Sequence, residues 1–451
     1  MVEDVLSYFP HIPKILDPAC GSGNFLLKCY KRLVEKYGEE NKEGILANLW
    51  GWDIDKIAIS LCKINLLLLT GDDSENFKVT NFFEIITKGN IQGEFDIIIG
   101  NPPWGYKFTI EERKDLGFVK KNPESSAIFT LKGMDLLKNN GYLSFCLPKA
   151  LLNVKSHKLF RKKILTEHTL IKIKDLGKAF DGVLSSSIVL TVQKRKSKQG
   201  DNINIVSKWG SFTVNKGKVE KNPYWNINFI KGPLTLDILE KMRRIPSTTL
   251  KGSIFALGIV TGNNKNFIIP KDKIKDEEKD SLQKIIKGKD ILKFKINPQL
   301  DYILFQREKF QQIAPIEYYK TPEKLVYRFI SSKLIFAYDD TGALTLNSAN
   351  ILIPKESLNI KYILALLNST AMQFYFENTF SSIKILRYHL EDLPIPIVDP
   401  LKEREVVDLV NLVIQAEKED TLNSLYHELD QKVYKLFNLN RKEVDFLKRC
   451  L

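Results

Sequence analysis

Along the first 195 residues, short apolar runs alternate with segments in which apolar side chains recur every three or four positions. A strand covered on both faces is apolar throughout, whereas a helix lying on a sheet is apolar on one side only. The alternation therefore predicts βαβ units and a mostly parallel sheet. Strands are expected at residues 14–16, 49–52, 96–99, 141–147, 171–176 and 188–193. Between the first two, Leu26, Leu27, Tyr30, Leu33 and Val34 share one helical face, and residues 56–69 read the same way. The polar, basic stretch 194–201 breaks this rhythm and predicts a domain boundary. Beyond it the pattern is irregular, with strand-like runs at Ile268-Ile269, 302–305 and 334–336 separated by Gly, Pro and Asn. Residues 401–451 return to helical periodicity with charged faces. The expected organisation is an α/β domain over 1–195, a mixed α/β domain over 202–396 and a helical tail over 397–451.

A chain of 451 residues exceeds what one hydrophobic core usually serves, in line with two or three domains. It contains no run of about 18 apolar residues that could span a bilayer, and Met1-Val2-Glu3-Asp4 does not open a secretion signal. A cytoplasmic protein with no membrane contact is the expectation. The five cysteines form no CxxC pair, which argues against a disulfide framework and a zinc site, so no metal is expected. The net charge of +14 favours a polyanionic partner through counterion release. The excess is uneven: residues 149–198 hold 13 Lys/Arg against 3 Asp/Glu, and residues 201–330 hold 24 against 14. A Lys-rich solvated surface has the same composition, so charge alone does not choose the partner.

Two motifs narrow the choice. Asp17-Pro18-Ala19-Cys20-Gly21-Ser22-Gly23-Asn24-Phe25 lies between the first strand and the first helix, where a glycine turn lets a ligand approach the backbone. The second strand ends in Trp52-Asp53-Ile54-Asp55, and an acid at that strand tip suits ribose hydroxyls. Ile54 is the candidate apolar wall for a flat ring, and Asp55 the N-cap of the next helix. Asn81-Phe82 follows the third strand, where an amide oxygen can accept from an adenine amino group.

The second motif, Gly100-Asn101-Pro102-Pro103-Trp104, closes the apolar strand 96–99. An aryl amine is a poor nucleophile because its lone pair is delocalised into the ring. Two acceptors aimed at its hydrogens draw the nitrogen toward tetrahedral geometry without a strong base. The Asn101 side-chain oxygen and the Pro102 carbonyl are such a pair, and Pro103 holds that carbonyl in direction. Trp104 offers a flat face on which a base swung out of a duplex can stack.

On these motifs, residues 14–195 resemble the gamma-class N6-adenine DNA methyltransferases of restriction-modification systems. The resemblance implies a Rossmann-like methyltransferase sheet with helices on both faces, S-adenosylmethionine as cofactor and double-stranded DNA as partner. It assigns Asp17, Ala19, Gly21 and Gly23 to the methionine pocket, Asp53 and Ile54 to ribose and adenine, and Asn81 and Phe82 to the adenine edge. Asn101, Pro102, Pro103 and Trp104 become catalytic, and Phe180 a second aromatic against the flipped base. The C-terminal half resembles a target-recognition domain at 258–265, 336–350 and 380–396. The family also carries an N-terminal helical segment of which only the end is expected here, so an upstream polypeptide or restriction subunit is expected to supply the rest. Rival readings are amino methylation of N4-cytosine, RNA or a protein amide, and a DNA-binding specificity subunit whose methyltransferase half is inactive.

Overall fold

The six apolar runs expected as strands up to residue 193 all lie in one nine-stranded sheet of the computed structural model. The structure describes residues 1–88, 92–116, 124–179, 186–227, 231–274, 282–380 and 384–451. The chain forms two compact units, Met1–Pro233 and Leu234–Leu451.

The strands of the first unit are β1 (Ile15–Asp17), β2 (Leu49–Asp53), β3 (Phe77–Val79), β4 (Phe95–Gly100), β5 (Leu137–Pro148), β6 (Thr169–Gly177), β7 (Ser187–Gln193), β8 (Asn202–Ser207) and β9 (Gly210–Asn215). Their order across the sheet is β3-β2-β1-β4-β5-β7-β6-β8-β9. Strands β1 to β5 run parallel, and β7 is inserted antiparallel between β5 and β6. Side-chain alternation along β4 explains why both faces are covered. Ile97 and Ile99 join the core beneath helices Asn24–Tyr37 and Lys56–Thr70. Ile98 points the other way, toward helix Ser125–Leu136, where a Cβ added to Gly133 would lie 2.9 Å from Leu143 and 3.9 Å from Ile98. The fold is thus the expected α/β sheet with helices on both faces.

The boundary expected at 195–202 falls later in the chain. Residues 194–201 are a basic connector as read, but β8 then pairs parallel to β6 and β9 closes on β8, so the sheet continues past it. A polar loop between two strands of one sheet carries the same composition as a linker between domains.

The second unit contains β10 (Ser247–Thr248), β11 (Ile254–Ala256), β12 (Ile268–Ile269), β13 (Gln283–Ile286), β14 (Asp301–Ile303), β15 (Lys324–Arg328), β16 (Phe336–Asp339), β17 (Leu344–Thr345), β18 (Ala349–Ile353) and β19 (Ile395–Pro396). Two four-stranded sheets result, β11-β18-β15-β16 and β12-β14-β13-β17. Alternation again assigns the faces: Leu325 and Tyr327 enter a helical core, while Val326 between them enters the core shared with the second sheet. Helices Leu234–Arg244, Ile360–Asn368 and Thr370–Thr379 form part of that helical core. The last three helices, Pro400–Gln415, Glu419–Leu436 and Arg441–Cys450, are helical as expected but are no separate tail. Their apolar stripes, including Val410, Val433 and Leu447, are buried in the same core as Met242 and Phe374.

Candidate active site

In an open α/β sheet the chain leaves neighbouring strands in opposite directions at the switch point, which opens a crevice at their carboxyl ends. Here β1 sits between β2 and β4, and both motifs leave the sheet at that point.

The glycine turn is built by its backbone. Gly21 and Gly23 have φ of 54° and 88°, a left-handed conformation that side chains disfavour. At Gly23 there is also no room, since a Cβ would lie 2.5 Å from the Cys62 sulfur. The turn is laced to the end of β2: the Gly21 amide donates to Asp53 Oδ2 at 2.9 Å, and the Cys20 amide to the Trp52 carbonyl at 2.9 Å. Asp53 Oδ1 accepts from the Asp55 amide at 3.0 Å, and Asp55 caps helix Lys56–Thr70 as expected.

Asp17 ends β1 with its side chain 1% exposed. Its Oδ1 accepts from the Ala19 amide at 3.1 Å, whereas its Oδ2 is buried with no hydrogen-bond partner among the described residues. Burial pushes this carboxyl up to about 8; the Ala19 hydrogen bond opposes the rise and the charge of Asp53 adds to it. A buried acid with one unsatisfied oxygen fits a cationic ligand group, whose charge would favour the ionised form. The same acid explains Gly100, where a Cβ would lie 2.5 Å from Asp17 Oδ1. The carboxyl therefore packs directly against the backbone that leads into Asn101.

A cavity of about 320 Å³ opens above these residues. Pro18 and Ala19 line it from the glycine turn, Asp53 and Ile54 from β2, and Asn101, Pro103 and Tyr106 from the loop after β4. Thr80, Asn81, Phe82, Phe83 and Phe129 complete the wall. Ile54 is 68% exposed, so its apolar face is free for a flat ring. Phe82 is buried and stacked on Phe129 with ring centroids 4.3 Å apart, which fixes both rings in the wall.

Of the residues singled out from sequence, Ala19, Asp53, Ile54, Asn81, Phe82, Asn101 and Pro103 line this one cavity. Asp17, Gly21 and Gly23 shape the turn behind it. Asn81 is more constrained than expected: its side-chain oxygen accepts from the Phe83 amide at 2.9 Å and so closes the turn that opens helix Phe82–Lys88. Pro102 is buried and, like Trp104, is not part of the cavity wall. The Trp104 indole N–H donates to the Cys146 carbonyl at 3.4 Å, at the end of β5. Phe180 lies outside the described residues. Phe83, Tyr106 and Phe129 were not anticipated; Phe83, next to Asn81-Phe82, and Tyr106, two positions beyond Trp104, are the two that proximity to a motif could have flagged.

The cavity brings together an apolar slot, the Asp53 carboxylate and the exposed Asn101 amide, with the buried Asp17 carboxyl behind the turn that forms one of its walls. The family model of the Eco57I restriction-modification methylase matches residues 47–181, and that of the TaqI-like C-terminal specificity domain matches residues 283–395. The type II methyltransferase M.VspI of Vibrio sp. (strain 343) is 31% identical over 299 residues, 64% of this chain and 69% of that protein. The putative type II restriction enzyme and methyltransferase RM.MjaORFECS2P of Methanocaldococcus jannaschii is 24% identical, and the match covers 76% of this chain but 31% of that longer protein. Among solved structures, the Type IIL restriction-modification enzyme MmeI in complex with DNA shares the fold with a TM-score of 0.63 at 12% identity, over 99% of this chain and 73% of that one. No helix among the described residues is long and apolar enough to cross a membrane. By its likeness to these relatives, the chain belongs to the type II methyltransferases of restriction-modification systems.

Proposed function

We propose that this chain methylates the exocyclic N6 of an adenine flipped out of a specific duplex DNA sequence, with S-adenosylmethionine as donor. The observation that carries the reading is that Asn101 shares one cavity with the glycine turn and with Asp53 and Ile54. When bound, S-adenosylmethionine supplies an electrophilic methyl group on a sulfonium centre. Asp17 receives the cationic amino-acid part, and Asp53 accepts from ribose hydroxyls with lone pairs its backbone contacts leave over. Ile54 packs one face of the adenine ring, opposite Phe82 and Phe129.

Asn101 Oδ1 and the Pro102 carbonyl accept the two N6 hydrogens, so the nitrogen lone pair turns out of the base plane toward the methyl group. Neither oxygen is a strong base, so the C–N bond forms as the carbon–sulfur bond breaks, the sulfur leaves as a neutral thioether, and the surplus proton then passes from N6 to solvent. Trp104, held by Cys146, presents its ring to the swung-out base. The stretch 283–395, matched by the specificity-domain model, supports sequence reading by the second unit. Gly258–Lys265 and residues 336–350 are the proposed readers there, together with the described parts of 380–396. A companion restriction polypeptide is a further proposed partner.

Incubating the chain with methyl-labelled S-adenosylmethionine and DNA from a methylation-free host, then digesting to nucleosides, tests this. Label in N6-methyladenine is expected. Label in N4-methylcytosine overturns the base assignment, and intact duplex binding without any label overturns the enzyme in favour of a specificity subunit. Asn101→Ala is expected to keep duplex affinity while lowering turnover by about a hundredfold or more, as loss of one preorganised polar group does elsewhere.

A further inference from the structure

The two acceptors proposed to act on N6 sit at the start of a loop with no regular structure, residues 101–109. Transfer between two bound groups tolerates little misplacement, about 1 Å costing about a hundredfold. Proline rigidity fixes the loop only as far as Pro103, so its far side has to be held by something else.

One buried hydroxyl does this. Ser125, the first residue of helix Ser125–Leu136, is 0% exposed. Its Oγ–H donates to the Pro103 carbonyl at 2.5 Å, and its oxygen accepts from the Tyr106 amide at 3.1 Å. A single side chain thus bridges both ends of the turn 103–106, using its donor and its acceptor at once. Beside it, Glu124 Oε1 accepts from the Gly105 amide at 3.0 Å. Gly105 has φ of 72°, so the turn between the two anchors adopts a conformation that a glycine permits. Two consecutive residues therefore satisfy the turn's carbonyl and two amides, and they do so from a helix packed on β5 rather than from the loop itself.

We propose that Ser125, assisted by Glu124, is the positioning residue that sets where Asn101 and the Pro102 carbonyl point, and that Tyr106 is held in the cavity wall by the same clamp. Resting on the methyltransferase reading above, this assigns the start of helix Ser125–Leu136 to the catalytic apparatus, although neither side chain touches substrate. No other side chain at position 125 provides both halves of the bridge in so small a space except threonine, whose extra methyl has to be accommodated in a buried site.

The test compares the full chain with Ser125→Ala, Ser125→Thr and Glu124→Ala. Glu124 is only partly buried, so its variant is expected to fold even if Ser125→Ala does not. The expected result is a single-turnover methyl-transfer rate at least tenfold lower in either alanine variant, with the dissociation constant for S-adenosylmethionine within about threefold of the parent. Threonine at 125 restores part of the rate. An unchanged rate in a folded alanine variant overturns the proposal, as does a parallel fall of rate, cofactor affinity and melting temperature. Amide hydrogen exchange at Gly105 and Tyr106 reads the clamp independently of the reaction: faster exchange is expected at Tyr106 in Ser125→Ala and at Gly105 in Glu124→Ala, and no change overturns it. Should the parent chain methylate no adenine, the function above fails while the exchange measurement still decides the clamp.

Discussion

A carboxyl held near 8, if it receives the cationic end of a ligand as proposed, couples binding to protons. Free of ligand, Asp17 is mostly protonated at pH 7, because burial outweighs the one hydrogen bond it receives. A cation beside its unsatisfied oxygen favours the ionised form, so cofactor binding at pH 7 is expected to release close to one proton. Affinity then rises with pH toward about 8 and falls again above it, because the cofactor's α-amino group, with an ordinary pKa of about 7.7–8.0, loses its charge there. The sign for stability is opposite. A folded-state value raised above the ordinary carboxylate value of 3.8 means that the empty protein loses stability as pH climbs from 4 through 8. Calorimetry in buffers of differing ionisation enthalpy measures the proton directly; affinity that is flat from pH 6 to 9 would remove Asp17 from the cationic pocket. Asp17→Asn is expected to abolish both the proton release and most of the affinity. At this scale the motifs were legible and their partners were not. Asn81 was read as a ligand contact, and its oxygen also turns out to hold the Phe83 amide, since a side chain in a turn serves the nearest backbone hydrogen first. Phe129 lies in a helix whose buried positions run unbroken from Ser125 to Thr130, so no periodicity marked the one ring that reaches the cavity.

Elements meet at points where one atom too many is felt. Gly23 joins the glycine turn to helix Asn24–Tyr37 and faces Cys62 on helix Lys56–Thr70. Gly23→Ala is expected to cost about 1–2 kcal/mol from the left-handed conformation alone, with the sulfur contact adding to it. Removing the sulfur in Cys62→Ala should recover the contact part and leave the conformational part, so the double variant melts between the parent and Gly23→Ala. A double variant no better than the single one would mean that the sulfur is not what Gly23 avoids. In the second unit, Lys324 and Asp339 are direct cross-strand neighbours of β15 and β16, ion-paired and essentially without exposure. Lys324→Met strands a buried carboxylate and is expected to destabilise this unit by about 3–5 kcal/mol, followed by denaturant unfolding. Loss of less than 1 kcal/mol would show that the Thr341 contacts suffice for Asp339. Neither strand was fully legible. β15 places Lys324 among apolar residues, and a lysine in a short run reads as an edge or a loop until its partner fifteen residues on is known to face it.

Over the whole chain, the excess of +14 becomes a statement about salt once DNA is the proposed partner. Each phosphate neutralised contributes about −0.9 to the slope of log affinity against log salt. A steep slope, equivalent to several phosphates, is expected in fluorescence titrations of labelled duplex between 50 and 200 mM salt; a slope near zero would make the charge a solvated surface and nothing more. The fold class was legible at this scale because alternation of strands and helices is a long-range rhythm that survives local error. The boundary was not: β8 and β9 extend the first sheet, and the apolar stripes of residues 400–450 close the core of the second unit instead of trailing from it. Both mistakes have one source, since a sequence records where a segment hides its apolar side but not which neighbour hides it.

The contact between Gly100 and Asp17 reaches further than packing. Where a backbone and a carboxyl touch, the residue count leaves no slack between Asp17, in the proposed donor pocket, and the loop that begins at Asn101. On the proposed reading, widening the methionine end alone is expected to fail with a bulkier donor analogue, because the same shift would drag Asn101 off the target base. Changes of donor and changes of base are expected to have to be selected together.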